Sequence, residues 1–249
     1  MAAATRLFVT ESLTPGQDLV LERDQSHYLM RVLRLEEGDT ISLFNGMDGE
    51  WQTVITVAQK AAVTLRLVRQ TREQVTQPGP WLAFAPVKKT QTDFIVQKAT
   101  ELGVGRLIPV ITERTQSERV RTDRLRATAI EAAEQSERLD VPDISEPVSL
   151  LKLLDSWPED RLLLVCAEGG EAVPLAELAA SHANSGAGFV TGPEGGYSAA
   201  ELDFIHKHSL VQTVGLGPRI LRAETAALAA LAVWQAVAGD GKTRPPLRG

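Results

Sequence analysis

The chain has 249 residues, 43% apolar and 23% charged, with a formal net charge of −6. This is the balance of an ordinary globular protein built as one large domain, or one domain plus a small one. The net charge argues against a nucleic-acid partner until its distribution is read. The single cysteine, Cys166, excludes a disulfide framework or a CxxC metal site within one chain. The opening stretch MAAATRLFVTESL lacks the charged start and apolar core of a signal peptide. The longest apolar run is alanine-rich and broken by Gln235, so no membrane span is expected, and a reducing cytoplasm is the expected setting.

Residues 1–72 read as a β-rich region. The stretch QSHYLMRVLRL predicts a short amphipathic helix, with Tyr28, Met30, Val32, Leu33 and Leu35 apolar and Arg31 and Arg34 projecting elsewhere. DTISLFNG and WQTVITVA alternate around the turn NGMDGE, and AVTLRLVRQ adds another alternating strand. Short strands at this density suggest a small barrel. Residues 73–80, ending in QPGP, read as a linker.

Residues 81–249 change rhythm. WLAFAPV is a continuous apolar run, as in a strand covered on both faces. QTDFIVQKATEL has helical spacing and stops at Gly103, a good helix terminator. RLIPVIT is a second strand, and RTDRLRATAIEAAEQSERL a long helix ending before Val141 and Pro142. RLLLVCAE, AGFVTG and LVQTVGLG are three further strands, each leaving into a glycine-containing loop and then a helix. The alternation argues for an open parallel α/β sheet. ETAALAALAVWQAVAG is apolar nearly all round, so it is buried on more than one side, and its alanines permit a partner helix to approach closely. The tail DGKTRPPLRG is expected to be mobile. Six arginines between 106 and 126, against Glu113, Glu118 and Asp123, give that stretch a local charge of +3. A solvated helix face explains such a stretch as well as a phosphate-binding surface does.

Ligands of open α/β sheets bind at the carboxyl ends of the strands. Here three successive strands end in AEGGEAVP, TGPEGGYS and LGPRILRAET. In the second, Ser198 and Glu201 form an S-x-x-E capping box and start a helix. The glycines ahead of them let bare backbone approach a ligand. GLGPRI lacks the third glycine of the dinucleotide fingerprint, and no P-loop is present. The loops therefore suit a compact ligand held by backbone and apolar contacts.

QKATELGV, EAAEQSERLDVP, TGPEGGYSAAEL and LGPRILRAETAALAAL resemble the bacterial 16S rRNA uridine-N3 methyltransferases, the RsmE family of SPOUT enzymes. RLFV and HYLMRVLRLEEGD are similar to its PUA-like RNA-binding domain, and the resemblance runs over nearly the whole chain in order. It implies an α/β fold, a SPOUT-type trefoil-knotted parallel-sheet domain preceded by a small PUA-like β-barrel. It also implies S-adenosylmethionine as methyl donor, the small ribosomal subunit as substrate (position 1498 in the usual rRNA numbering), a homodimer, and no metal. Two departures stand out: VKKTQTDF lacks a glycine and an arginine usual after the first lysine, and Thr115 replaces a serine.

On this resemblance the cofactor lies among three walls. The first is Leu164, Val165, Cys166 and Ala167; the second is Thr191, Gly192, Pro193, Glu194, Gly195 and Gly196. The third is Leu216, Gly217, Ile220, Leu221 and Arg222, continued by Thr225 and Ala226. Uridine N3 carries a proton at neutral pH. A base must assist its removal, and donors must stabilise the charge spread over O2 and O4. Glu194 is the acid/base candidate, and Arg219 and Arg222 are the anion stabilisers. Glu194 also has a structural reading, as a partner of the helix dipole or an arginine. Arg6, Arg31, Arg34, Lys88, Arg114 and Arg138 are expected to position RNA phosphates. Alternative readings are a SPOUT ribose 2′-O-methyltransferase and a non-catalytic RNA-binding protein with a vestigial pocket. A Rossmann oxidoreductase is disfavoured by the missing glycine.

Overall fold

The computed structural model describes residues 5–59, 62–75, 78–116, 120–167, 172–183 and 185–244. The chain forms two compact units. One comprises Met1–Thr76 with Ala133–Val141, and the other Gln77–Ala132 with Pro142–Gly249. Segment 133–141, expected inside the second region, therefore belongs to the first.

The first unit holds β1 (Arg6–Phe8), β2 (Asp18–Val20), α1 (Arg23–His27), β3 (Thr40–Phe44), β4 (Glu50–Gln59) and β5 (Ala62–Arg72). They form a five-stranded sheet in the order β1-β3-β4-β5-β2, with β1 parallel to β3 and the other pairs antiparallel. Alternation explains the core. Ile41 and Leu43 of β3 and Val63, Leu65 and Leu67 of β5 point the same way and are buried with Leu7 and Leu19. Among the described residues no pairing joins β1 to β2, the two edge strands of this sheet. The turn between β3 and β4 is built by Asn45, whose Oδ1 accepts from the N–H groups of Met47 and Asp48.

The expected helix over QSHYLMRVLRL starts earlier and changes pitch. After α1 the segment Tyr28–Val32 winds as a π-helix, with Leu33 N–H donating to Tyr28 O. The wider turn places Leu29 in the core and leaves Tyr28 and Val32 exposed. A 3.6-residue period could not assign those faces correctly.

The second unit begins with β6 (Trp81–Phe84), α2 (Lys89–Glu101), β7 (Arg106–Ile111) and α3 (Thr122–Gln135), whose last three residues belong to the first unit. Short elements follow: β8 (Asp143–Ile144), β9 (Val148–Ser149) and α4 (Leu150–Asp155). Then come β10 (Arg161–Cys166), β11 (Val173–Pro174), α5 (Leu175–Ser181), β12 (Gly186–Thr191), α6 (Ala199–Lys207), β13 (Val211–Gly215) and α7 (Ala223–Val237). The strands form an all-parallel sheet in the order β11-β13-β10-β12-β6-β7-β8, with β9 beside β7. The buried central strands explain their unbroken apolar runs.

Gly188 shows how tightly the sheet is covered. A Cβ there would lie 2.2 Å from ring carbons of Trp157, which stacks edge-on against Trp81. The last helix, α7, packs on α2, α5 and β12, with Trp234 against Phe189. Gln235, which interrupts its apolar run, is buried and donates to Leu102 O at 2.7 Å. No helix among the described residues is long and apolar enough to cross a membrane.

Candidate active site

The strands β10, β12 and β13 are parallel neighbours, and Cys166 is in register with both Thr191 and Val214. The three expected loops therefore leave one sheet edge at the same level, with the β10 loop between the other two. Leu164 and Val165 are fully buried and back the first wall from inside the sheet, whereas Cys166 and Ala167 stand at its rim. Burial pushes the Cys166 thiol up to about 12, so it stays protonated and is a packing residue here. The glycine turn that continues this wall, at 168–170, lies outside the described residues.

The middle loop is held from below. Thr191 O accepts from Ala85 N–H, tying the loop's root to β6. The Tyr197 ring lies under Gly192, within 3.0–3.4 Å of where a Cβ would project. Tyr197 is buried, and desolvation raises its pKa well above the ordinary range. Gly196 N–H donates to Pro193 O at 2.9 Å, closing a turn that needs φ +66° at Gly196. The capping box is present: Ser198 Oγ accepts from Glu201 N–H, and Glu201 Oε2 accepts from Ser198 N–H at 2.8 Å. Glu201 does more than cap, because its other oxygen accepts from Glu113 N–H in the β7 loop. Pro193 is buried, while Glu194 and Gly195 are exposed.

In the third loop, Leu216 and Leu221 are half-buried, and Gly217 turns at φ +108°. Arg219, Ile220 and Arg222 are exposed, Ile220 by 82%. Arg222 precedes α7 and receives Ala226 N–H on its carbonyl; Thr225 is exposed and Ala226 half-buried. In the first turn of α7, Glu224 Oε2 is buried with no hydrogen-bond partner among the described residues.

A cavity of about 260 Å³ opens beside the middle loop. Pro86, Val87, Lys88 and Lys89 line it from the start of α2, and Arg114 and Gln116 from the β7 loop. Pro193, Glu194 and Gly195 complete it. Lys88 and Arg114, expected as RNA contacts, thus share one cavity with Glu194, the acid/base candidate. Lys89 and Gln116 were not anticipated; the doubled lysine was the only signal for the first. Among the described residues, no group of three His, Cys, Asp or Glu side chains could hold a metal ion.

The expected phosphate contacts of the first unit divide. Arg31 and Arg34 are exposed at and just beyond the π-helix. Arg6 is not available for RNA: its side chain is 7% exposed and lies over Phe44. Its guanidinium donates to Glu50 and to the carbonyls of Ala133, Glu134 and Arg138. Arg138 is also largely covered and pairs with Asp140. Arg6 thereby ties segment 133–141 to β1, a tertiary pairing that local charge could not disclose.

A parallel sheet with glycine loops level at its carboxyl edge and a basic cavity beside them fits a nucleic-acid-modifying enzyme. The RNA methyltransferase domain model matches residues 77–235, and the RNA methyltransferase PUA domain model matches residues 21–68. The small-subunit ribosomal RNA methyltransferase E of Rickettsia conorii is 34% identical over 91% of this chain and 93% of its own length. That of Bacillus subtilis is 31% identical over 84% of this chain and 86% of its own. The structure resembles the enzyme of the same name from Neisseria gonorrhoeae, solved with S-adenosylmethionine bound. Its TM-score is 0.87 at 31% identity, covering 95% of this chain and 99% of that one. A Legionella pneumophila methyltransferase, also holding the cofactor, has a TM-score of 0.83 at 28% identity, covering 94% and 98%. The chain belongs to the RsmE family of small-subunit ribosomal RNA methyltransferases.

Proposed function

We propose that this protein methylates N3 of a uridine in 16S rRNA of the small ribosomal subunit, using S-adenosylmethionine. The observation that carries the reading is the juxtaposition of three level strand ends with the cavity that gathers Lys88, Arg114 and Glu194. The residues present fit the cofactor. Cβ atoms built on Gly196 and Gly217 would meet only open space, so ligand can lie against both turns. The unpartnered carboxylate oxygen of Glu224, beside the third loop, suits a ligand that carries positive charge.

Bound S-adenosylmethionine supplies an electrophilic methyl group. Cys166 and Ala167, the 191–196 loop and the 216–222 loop would hold it, together with Thr225 and Ala226. Glu194, exposed at the cavity, accepts the N3 proton directly or through water. Arg219 and Arg222 have no side-chain partner among the described residues and are free to face charge on O2 and O4. Lys88 and Arg114, with Arg31 and Arg34, position phosphates. An unpaired or flipped uridine is required, since pairing hides N3. A trefoil-knotted path through the three loops is part of the same reading. The exposed Thr225, Ala232 and Ala236 on α7 support a second copy of the chain as partner.

Nucleoside mass spectrometry of 16S rRNA, after reaction with unmodified small subunits, tests this. N3-methyluridine is expected. A 2′-O-methylnucleoside would replace the reading with the ribose-modifying one. Absence of S-adenosylmethionine binding by calorimetry would replace it with a non-catalytic RNA-binding role.

A further inference from the structure

We propose that Arg114 is a positioning residue that couples filling of the basic cavity to the shape of the middle cofactor wall. The inference rests on the placement of the cofactor at the three loops. It goes beyond a phosphate contact, because Arg114 already holds the loop. Its Nη1 donates to Gly195 O at 2.9 Å. Its stem passes about where a side chain on Gly195 would begin, with Cβ and Cδ 3.5 and 3.6 Å from that point.

The peptide between Gly195 and Gly196 is thereby clamped at both ends. Its carbonyl takes Arg114 and its N–H donates to Pro193 O. A peptide flanked by two glycines reorients at little steric cost, so these two bonds decide its direction. The arginine's own backbone is anchored. Thr112 and Thr115 pair through their hydroxyls at 2.9 Å, and Thr115 N–H donates to Thr112 O. Glu113 N–H is held by the buried Glu201 at 2.8 Å. The β7 loop is thus joined to α6 and to the cofactor loop at consecutive residues, 113 and 114.

A guanidinium has five N–H donors in a rigid fork, and the bond to Gly195 uses one of them. The rest serve a phosphate drawn into the cavity by Lys88 and Lys89. RNA held there restrains Arg114, Arg114 restrains the Gly195 carbonyl, and the cofactor meets a wall already ordered. Linkage makes the effect mutual: the cofactor tightens RNA by the same factor.

The test measures binding of labelled S-adenosylhomocysteine, which cannot donate a methyl group, with and without unmodified small subunits. Wild type, R114A, R114K and K88A are compared. Subunits are expected to tighten wild-type binding about fivefold or more. R114A weakens the subunit-free affinity about tenfold and brings the tightening to about onefold. R114K keeps the charge but not the fork, so it holds subunits and loses most of the tightening. K88A weakens subunit binding, so more subunits are needed to reach the same tightening. Subunit-free affinity in R114A within about twofold of wild type overturns the proposal, as does an undiminished ratio in both Arg114 variants. If R114A does not fold, the R114K ratio decides. Wild type whose 191–196 amides gain no hydrogen-exchange protection from ligand overturns the cofactor placement itself, a result distinct from loss of coupling alone.

Discussion

Glu201 Oε1 accepts a hydrogen bond from Glu113 N–H at 2.8 Å, across 88 residues of chain, while its second oxygen closes the cap with Ser198. Glu201→Ala strands two backbone donors in a buried setting. The expected loss is roughly 2–4 kcal/mol, read by urea unfolding of the full chain. A loss below about 1 kcal/mol would show that the second bond contributes nothing.

Arg6 gives the opposite outcome from the exposed arginines of its unit. Arg6→Ala leaves Glu50 buried without its closest cation and three carbonyls without a donor, and is expected to cost about 3–5 kcal/mol. Arg31→Ala and Arg34→Ala are expected to leave the melting temperature unchanged. Both should weaken binding to small subunits and flatten its salt dependence. Thermal melts and filter binding at several salt concentrations separate the two groups.

Glu194→Gln is expected to preserve cofactor affinity and to slow single-turnover methylation about 10²–10⁴-fold. Single-turnover methylation at several pH values reads the rate and its profile. An unchanged rate and profile would leave Glu194 as a shaping residue of the loop.

Alkali should destabilise the second unit through Cys166 and Tyr197. The folded state keeps the Cys166 proton up to about 12, whereas the unfolded thiol releases it near its ordinary 9.0. Stability is therefore intact below pH 9 and falls as pH rises toward 12. Tyr197, whose pKa is raised by the same burial, adds to the fall. Cys166→Ser should make the decline shallower in denaturant melts taken across that range. Native protein should also resist alkylation at pH 8.5 until it is unfolded in urea.

Gly188→Ala should lower stability by about 1–3 kcal/mol, because its Cβ would overlap Trp157. Adding Trp157→Leu should recover part of the loss, and no recovery would place the strain elsewhere.

The sequence by itself determined what short-range chemistry encodes. Continuous apolar runs marked the buried strands. Gly103 marked the end of α2, and Ser198 with Glu201 marked the start of α6. The glycines of the middle loop marked a tight turn, which the structure closes at Gly196 with φ +66°. Each of these rests on neighbours within a few residues. Other features depended on groups brought together from distant positions. Arg6 carries the charge of an RNA contact, and only the carbonyls of segment 133–141 reveal it as buried structure. The π-helical turn at Tyr28–Val32 exchanges inside for outside, because packing of Leu29 overrides the helical period. Arg114 and Gly195 lie 81 residues apart, and parallel strand register makes them neighbours. Periodicity reports which face of an element is apolar; the partner of a long charged side chain is settled by tertiary packing, where desolvation forces every buried donor to find an acceptor.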